Sequence, residues 1–354
     1  MKLVPRAQAS RAWIWLSPVL AVALTLVAGS ALFSAMGVSP LRGLSIFLIE
    51  PLTNVRGWTE VALKATPLVL CAAGLAVCFR ANVWNIGAEG QLIVGAIVGG
   101  GVALLATPET GHGWYVWVLL ASGAGGALWA SLTAWLRDRF HANEILVSLM
   151  LVYVAQQLLS WVVQGPWRDP AGYGFPQTEM FAEAARVPLL IAGTRLNFGA
   201  ALALTAAAAV GVLLARTVIG FQLKVVGLAP TAARYAGFSN RRALWIALLI
   251  SGALAGLAGG IEVAGPIGQL TSVVSPGYGF AAIIVAFVGR LHPIGIVLAA
   301  CVMALFYIGG ELAQTRLGLP SALTGVYQGL MLFFLLACDT LIHYRVQFRR
   351  AAAI

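Results

Sequence analysis

Charge is what this chain has least of. Only 10% of its 354 residues are Asp, Glu, Lys or Arg, too few to give a soluble domain of that length a polar shell. Cysteine is limited to Cys71, Cys78, Cys301 and Cys338, all inside apolar runs. Their positions lack metal-ligand spacing and suggest no exported disulfide, which leaves packing as their role. The four histidines, His112, His141, His292 and His343, are scattered. No G-x-x-x-x-G-K-[ST] loop, H-E-x-x-H motif or G-x-S-x-G elbow occurs, so P-loop ATP hydrolysis and those hydrolase chemistries are not expected. We expect no catalytic residue, no metal site and no cofactor bound by this chain. A net charge of +10 could suggest nucleic-acid binding, but no basic run interleaved with aromatics supports it.

What the chain does have is apolar length. Hydrophobic residues make up 60% of it, in runs near 13–36, 60–79, 85–105, 114–136, 145–163, 198–215, 243–260, 277–289, 294–310 and 321–341. A helix crossing a ~30 Å hydrocarbon core needs about 20 such residues. The expected fold is therefore an all-α membrane protein of about ten transmembrane helices, with the short eighth run marking a broken or re-entrant element. We read residues 1–354 as one transmembrane domain. Residues 1–59 form an extra first span with an outer segment, 60–341 the core, and 342–354 a cytoplasmic tail. The basic start could belong to a signal peptide, but the first run is long and further spans follow it, so it is read as uncleaved.

Cations set the orientation. With the N-terminus inside, the inner segments hold Lys2, Arg6, Arg11, Arg80, Arg137, Arg139, Arg216, Lys224, Arg234, Arg241, Arg242, Arg290, Arg345, Arg349 and Arg350, which is 15 of 22. The positive-inside rule then makes both termini cytoplasmic. The widest outer loop runs over about 164–197 and the widest inner loop over about 216–242. A weak echo, Gly74-Leu75-Ala76 to Gly90-Gln91-Leu92 against Gly256-Leu257-Ala258 to Gly268-Gln269-Leu270, admits an inverted repeat of the kind transporters use.

The most unusual stretch is Arg80 to Gln91. If helical, it sets Asn82, Asn85 and Glu89 on one face, and polar groups near the hydrocarbon need a partner, water or solute. The competing reading is a structural turn in which Glu89 pairs with Arg80. Trp84 suits an interfacial anchor or a stacking platform. Gln156 and Gln157 fit either a pathway or a bridge between helices. Glu262, Gln269, Ser275 and Tyr278 form a second polar cluster, and Pro266, Pro276, Gly277 and Gly279 interrupt any helix there. Gly252, Gly256 and Gly260, with Gly95 and Gly99, are a packing signal. Within the inner loop, Thr231 to Tyr235 is expected to be a short helix opened by Pro230 and ended by Gly237.

At these residues the sequence resembles the permease subunits of ATP-binding-cassette importers, in the branched-chain amino acid and simple-sugar superfamily. The nucleoside-type branch, which works with a basic-membrane-protein-type binding lipoprotein, fits best. The matching segments are Asn85 to Gln91, Ala142 to Ile145 through Leu149-Met150-Leu151, Ala232 to Gly237, and Gly277 to Phe280 through Gly289. Ala229, Val152 and Ala281 depart from the expected pattern, Val152 at a position that would bear on the pathway lining.

The resemblance implies a non-enzymatic permease in the bacterial cytoplasmic (inner) membrane, importing a nucleoside or related small polar solute. It implies a second permease subunit in a heterodimer, an extracytoplasmic substrate-binding protein, membrane lipid around the bundle, and a separate ATPase subunit that uses the ATP. Asn85, Glu89, Gln91, Gln156 and Tyr278 are the expected pathway residues. Pro230, Ala232, Ala233, Arg234, Tyr235 and Gly237 are the expected coupling residues. The rival reading is a secondary transporter driven by an ion gradient, with Glu89 as its proton site.

Overall fold

The structure is a computed structural model that describes residues 2–5, 11–107, 109–111 and 113–347. Arg6, His112, Arg349 and Arg350, used in the sequence reading, lie outside these. In chain order the helices are α1 (Arg11–Ala35), α2 (Pro40–Leu44), α3 (Val55–Arg80), α4 (Ala88–Leu104), α5 (Trp114–Phe140), α6 (Glu144–Gln164), α7 (Gly199–Arg216), α8 (Val218–Leu228), α9 (Pro230–Tyr235), α10 (Asn240–Glu262), α11 (Tyr278–Val288), α12 (Pro293–Leu317) and α13 (Ala322–His343). Two short strands, β1 (Lys2–Pro5) and β2 (Tyr344–Gln347), pair antiparallel with Lys2 opposite Gln347.

All ten apolar runs are helical. Among the described residues, eight helices, α1, α3, α5, α6, α7, α10, α12 and α13, are long and apolar enough to cross a membrane, whereas α4, α8 and α11 are apolar but shorter. The third of these, α11, is the broken element expected at the eighth run. Helix α8 was not expected, because the sequence reading left 216–242 as a loop apart from α9. At 11 residues it is too short for a crossing and is flanked by cations.

The chain divides into two compact units, residues 1–58 with 305–354, and residues 59–304. In the first, α1 packs on α13 and Phe33, Phe47, Phe306 and Tyr327 form one buried aromatic cluster. Ser17 Oγ donates to Asp339 Oδ1 at 2.8 Å, and Arg316 pairs with Glu50.

The second unit is built on α10, which packs against both α4 and α5. Small residues make that approach possible, as they do between helices in lipid. A Cβ on Gly256 would strike the backbone of Ser122 and of Gly126 on α5, and one on Gly95 would strike Gly256 itself. The expected glycine packing signal is therefore a three-helix seam. Cys71 and Cys78 are buried and free, with Cys78 Sγ donating to the Ala247 carbonyl at 3.2 Å.

Caps sharpen the helix ends. Asn82 takes the left-handed conformation (φ 55°) just past α3. Val83 N donates to Cys78 O at 3.0 Å and Asn82 N to Phe79 O at 3.2 Å, the paired bonds of a Schellman ending, for which Asn is the usual substitute for Gly. Asn143 Oδ1 caps α6 by accepting from Ile145 N at 2.9 Å, and Ser239 Oγ caps α10 by accepting from Arg242 N at 3.3 Å.

Candidate functional site

Because α3 stops at Arg80, residues 81–87 are not helical. Asn82, Asn85 and Glu89 therefore do not share a helix face, a correction to the sequence reading that follows from the Asn82 cap. Residues 83–86 form a non-helical segment, and α4 starts at Ala88. Trp84 stays 40% exposed at the start of this segment and stacks within 6.1 Å of Phe287, near the end of α11.

The side chains of Asn85, Glu89 and Gln91 are all buried. Asn85 and Gln91 exchange two amide bonds: Asn85 Nδ2 donates to Gln91 Oε1 and Gln91 Nε2 donates to Asn85 Oδ1, each at 3.0 Å. Asn85 Nδ2 also donates to Ser251 Oγ on α10 at 3.0 Å, and Asn85 Oδ1 accepts from Gly87 N at 3.1 Å. That uses the full hydrogen-bonding capacity of the Asn85 amide. The result ties the α3–α4 connection to α10.

Glu89 does something different. Its Oε2 accepts from Gly279 N at 2.6 Å, and the Ser275 hydroxyl bonds the same carboxylate. Ser275 Oγ accepts in turn from Tyr278 N at 2.9 Å. Glu89 and Ser275 thus cap the N-terminus of α11, where free N–H groups and the helix dipole favour a negative charge. The Arg80 pairing considered from sequence is replaced by this cap. At Gly279 a Cβ would collide with the Glu89 backbone, so only glycine permits the approach. An 11-residue helix is about 16 Å long, roughly half of a ~30 Å core. Arg290 follows its C-terminal end.

Tyr278 is buried at the head of α11, with Lys64 Nζ 5.9 Å from its ring centroid. The rest of the second polar cluster separates. Glu262 ends α10, while Gln269 Nε2 donates to Gln177 Oε1 in the outer loop at 3.1 Å. That loop is bonded to the broken segment by further hydrogen bonds, Val187 N to Ala264 O at 2.9 Å among them. Thr178 N donates to Leu270 O at 3.0 Å, Leu270 N to Thr178 Oγ1 at 3.0 Å, and Phe181 N to Gly268 O at 2.8 Å. Sequence reasoning missed Ser251, Ser148, whose Oγ accepts from Ile86 N at 3.3 Å, and Thr178 in the outer loop, since a lone hydroxyl carries no pattern.

Gln156 and Gln157 lie on an exposed face of α6, among Met150, Tyr153 and Trp161. Of the five expected pathway residues, the structure buries Asn85, Glu89, Gln91 and Tyr278 and leaves Gln156 exposed. Val152 is also internal, packed where a Cβ on Gly90 would touch its backbone.

On the face that carries most of the cations, α8 and α9 form a compact module. Thr217 Oγ1 caps α8 by accepting from Gly220 N at 3.1 Å. Pro230 opens α9, and Gly237 (φ 79°) closes it, with Phe238 N donating to Ala233 O at 2.9 Å. Only Ala233 of α9 is buried. Pro230, Ala232 and Arg234 are exposed, as is Gly237 beyond the helix end, and Tyr235 is 91% exposed. Phe238 anchors the module against the core and meets Phe221 edge-on at 6.0 Å. Beside it lies a groove of about 720 Å³ lined by Asn82, Asp138, Glu144, Pro230 and Arg241. Its charges are paired, Arg137 to Glu144 and Arg241 to Asp138, each at 2.6 Å.

Eight membrane-length helices, a half-length helix capped inside the bundle and a projecting short helix define a polytopic membrane transport protein. Residues 58–336 match the family described as branched-chain amino acid transport system, permease component, and the chain belongs to it. It is a transport permease of the ATP-binding-cassette importers, not an enzyme. Similar proteins include the glucose ABC transporter permease protein TsgB13 of Haloferax volcanii, 35% identical over 95% of this chain and 90% of that protein. The guanosine ABC transporter permease protein NupP of Bacillus subtilis is 32% identical, over 90% of this chain and 92% of its own length. The nucleoside ABC transporter permease protein NupB of Lactococcus lactis is 27% identical over 90% of each. The ion-gradient alternative gains nothing from these matches, and Glu89, its proposed proton site, is bonded into the α11 cap.

Proposed function

We propose that this chain imports a nucleoside or a related purine-like or sugar-containing solute, and that α9 is the element through which a separate ATPase subunit drives it. The observation that carries this reading is the exposure of α9. Five of its six residues face outward on a base held by Ala233 and Phe238, a shape suited to docking in a groove on a soluble partner. ATP is bound and used by that partner, and this chain holds no cofactor. The names of the relatives, two for nucleosides and one for glucose, support a cargo carrying a sugar.

The solute passes between this chain and a second permease subunit, with the exposed α6 face and Gln156 on the pathway side. Asn85, Glu89, Gln91 and Tyr278 act by positioning α4 and α11 and do not touch the solute. A binding protein delivers cargo from outside. Both termini are cytoplasmic, and the membrane is the bacterial inner membrane. The cation count supports that orientation.

Purification from the native membrane in mild detergent should bring down a stoichiometric ATPase subunit and a second permease. In that complex Ala232→Trp, at an exposed site, should cut solute-stimulated ATP hydrolysis about tenfold or more while leaving thermal stability within about 0.5 kcal/mol. A lone oligomer that moves guanosine or glucose under an ion gradient would overturn the reading.

A further inference from the structure

A second groove, of about 380 Å³, lies between α7 and the start of α12. We infer that it is a binding site for an anionic phospholipid of the cytoplasmic leaflet, with one acyl chain in the groove and the phosphate at Arg216. Three observations support that assignment.

The first is length. The α7 side runs through Leu204, Ala208, Gly211 and Val212 to Ala215 and Arg216. Those 12 steps rise about 18 Å, close to the ~15 Å depth of one leaflet's hydrocarbon. The second is chemistry. The other wall is Pro293, Ile294 and Val297, so Arg216 is the only charged or polar side chain along a groove that is otherwise apolar. A ligand that fits must be an apolar chain ending in a negative group. Arg216 is exposed, and no ion pair of Arg216 occurs among the described residues.

The third is what lies beyond the mouth. Helix α8 turns back sharply on α7, so closely that a Cβ on Gly220 would strike the Leu213 carbonyl. It leaves Val218, Ile219 and Phe221 exposed beside Arg216, and Lys224 exposed one turn further on. Exposed apolar residues next to cations are the composition of a helix lying in the interface of an anionic membrane surface. The bound headgroup would then sit at the corner leading through α8 into α9. This site is independent of the identity of the cargo.

The test is lipid retention by native mass spectrometry, on protein moved from detergent into nanodiscs of equal phosphatidylglycerol and phosphatidylcholine. The wild-type chain should keep phosphatidylglycerol in preference, by about fivefold. Arg216→Gln should lose that preference but still carry a lipid. Ala208→Phe, which fills the groove from an exposed position, should lose the retained lipid whatever its headgroup. Variants are compared only after each gives a wild-type melting profile, and Ala215→Leu serves if Ala208→Phe does not fold. Equal retention of the two lipids by the wild type, unchanged preference in Arg216→Gln, or a second copy of the chain cross-linked through α7 would overturn the assignment.

Discussion

The buried polar junction at the head of α4 and the exposed helix α9 look alike in sequence, each a short stretch rich in polar and small residues between apolar runs. In space they are opposites. At the junction Asn85 and Gln91 bond each other, Asn85 also bonds Ser251 and Gly87, and Glu89 bonds Gly279 N, all within this chain. In α9 only Ala233 is buried, and the other five residues are exposed. A polar group in an apolar setting must be satisfied, but the partner can be the protein itself. Unused exposed surface is the better pointer to a partner molecule.

The comparison breaks first, and hardest, at the seam that supports both regions. Gly256→Leu would force a side chain into the α5 backbone at Ser122 and Gly126. Overpacking costs about 1–3 kcal/mol even where side chains can yield, and backbone cannot yield. We expect loss of the monodisperse peak in size-exclusion chromatography of the detergent-solubilised protein. A folded Gly256→Leu variant would mean that α10 and α5 sit further apart than described.

A smaller effect separates the two carboxylate roles. Glu89→Leu leaves Gly279 N–H and the α11 terminus without their acceptor, a loss of about 1–3 kcal/mol. Glu89→Gln keeps a carbonyl oxygen in place and gives up mainly the charge at the helix end, about 0.3–1 kcal/mol. Melting temperature should therefore fall in the order wild type, Gln, Leu. Uptake by the Gln variant should persist. If the Gln variant melts as wild type but transports nothing, Glu89 handles the solute or a proton, and its assignment to the cap fails.

Much of the architecture was legible because hydrophobic length and caps are local signals. The ten apolar runs, the Pro230 to Gly237 helix and the break around Pro276 and Gly277 were each readable from a few neighbouring residues. The site was legible only in part. Asn85, Glu89, Gln91 and Tyr278 stand out in the sequence, but the partners of Asn85 and Glu89 lie on other elements: Ser251 is 166 residues from Asn85, and Gly279 is 190 from Glu89. No periodicity encodes such pairings. The assumption of a helix through 82–89 failed because the Asn82 cap outweighs the spacing argument. Helix α8 was missed because its 11 residues are too few for a crossing, and its flanking cations read as loop.

The smallest expected effect is the one that locates the pathway. Gln156 is exposed on α6, so Gln156→Ala should leave stability within about 0.5 kcal/mol of wild type. If the exposed α6 face lines the route between two permeases, the lost amide should weaken contact with a polar solute by about one hydrogen bond, roughly 0.5–1.5 kcal/mol. That is about a two- to tenfold rise in the KM for uptake, with basal ATP hydrolysis unchanged. The neighbouring Gln157→Ala provides the internal contrast. The two side chains leave the helix about 100° apart, so a pathway that runs along one stripe of α6 should respond to one variant more than the other. Equal and negligible responses would assign this face to lipid or to the permease interface and return the search for the solute contact to the outer loop and the broken α10–α11 segment it covers.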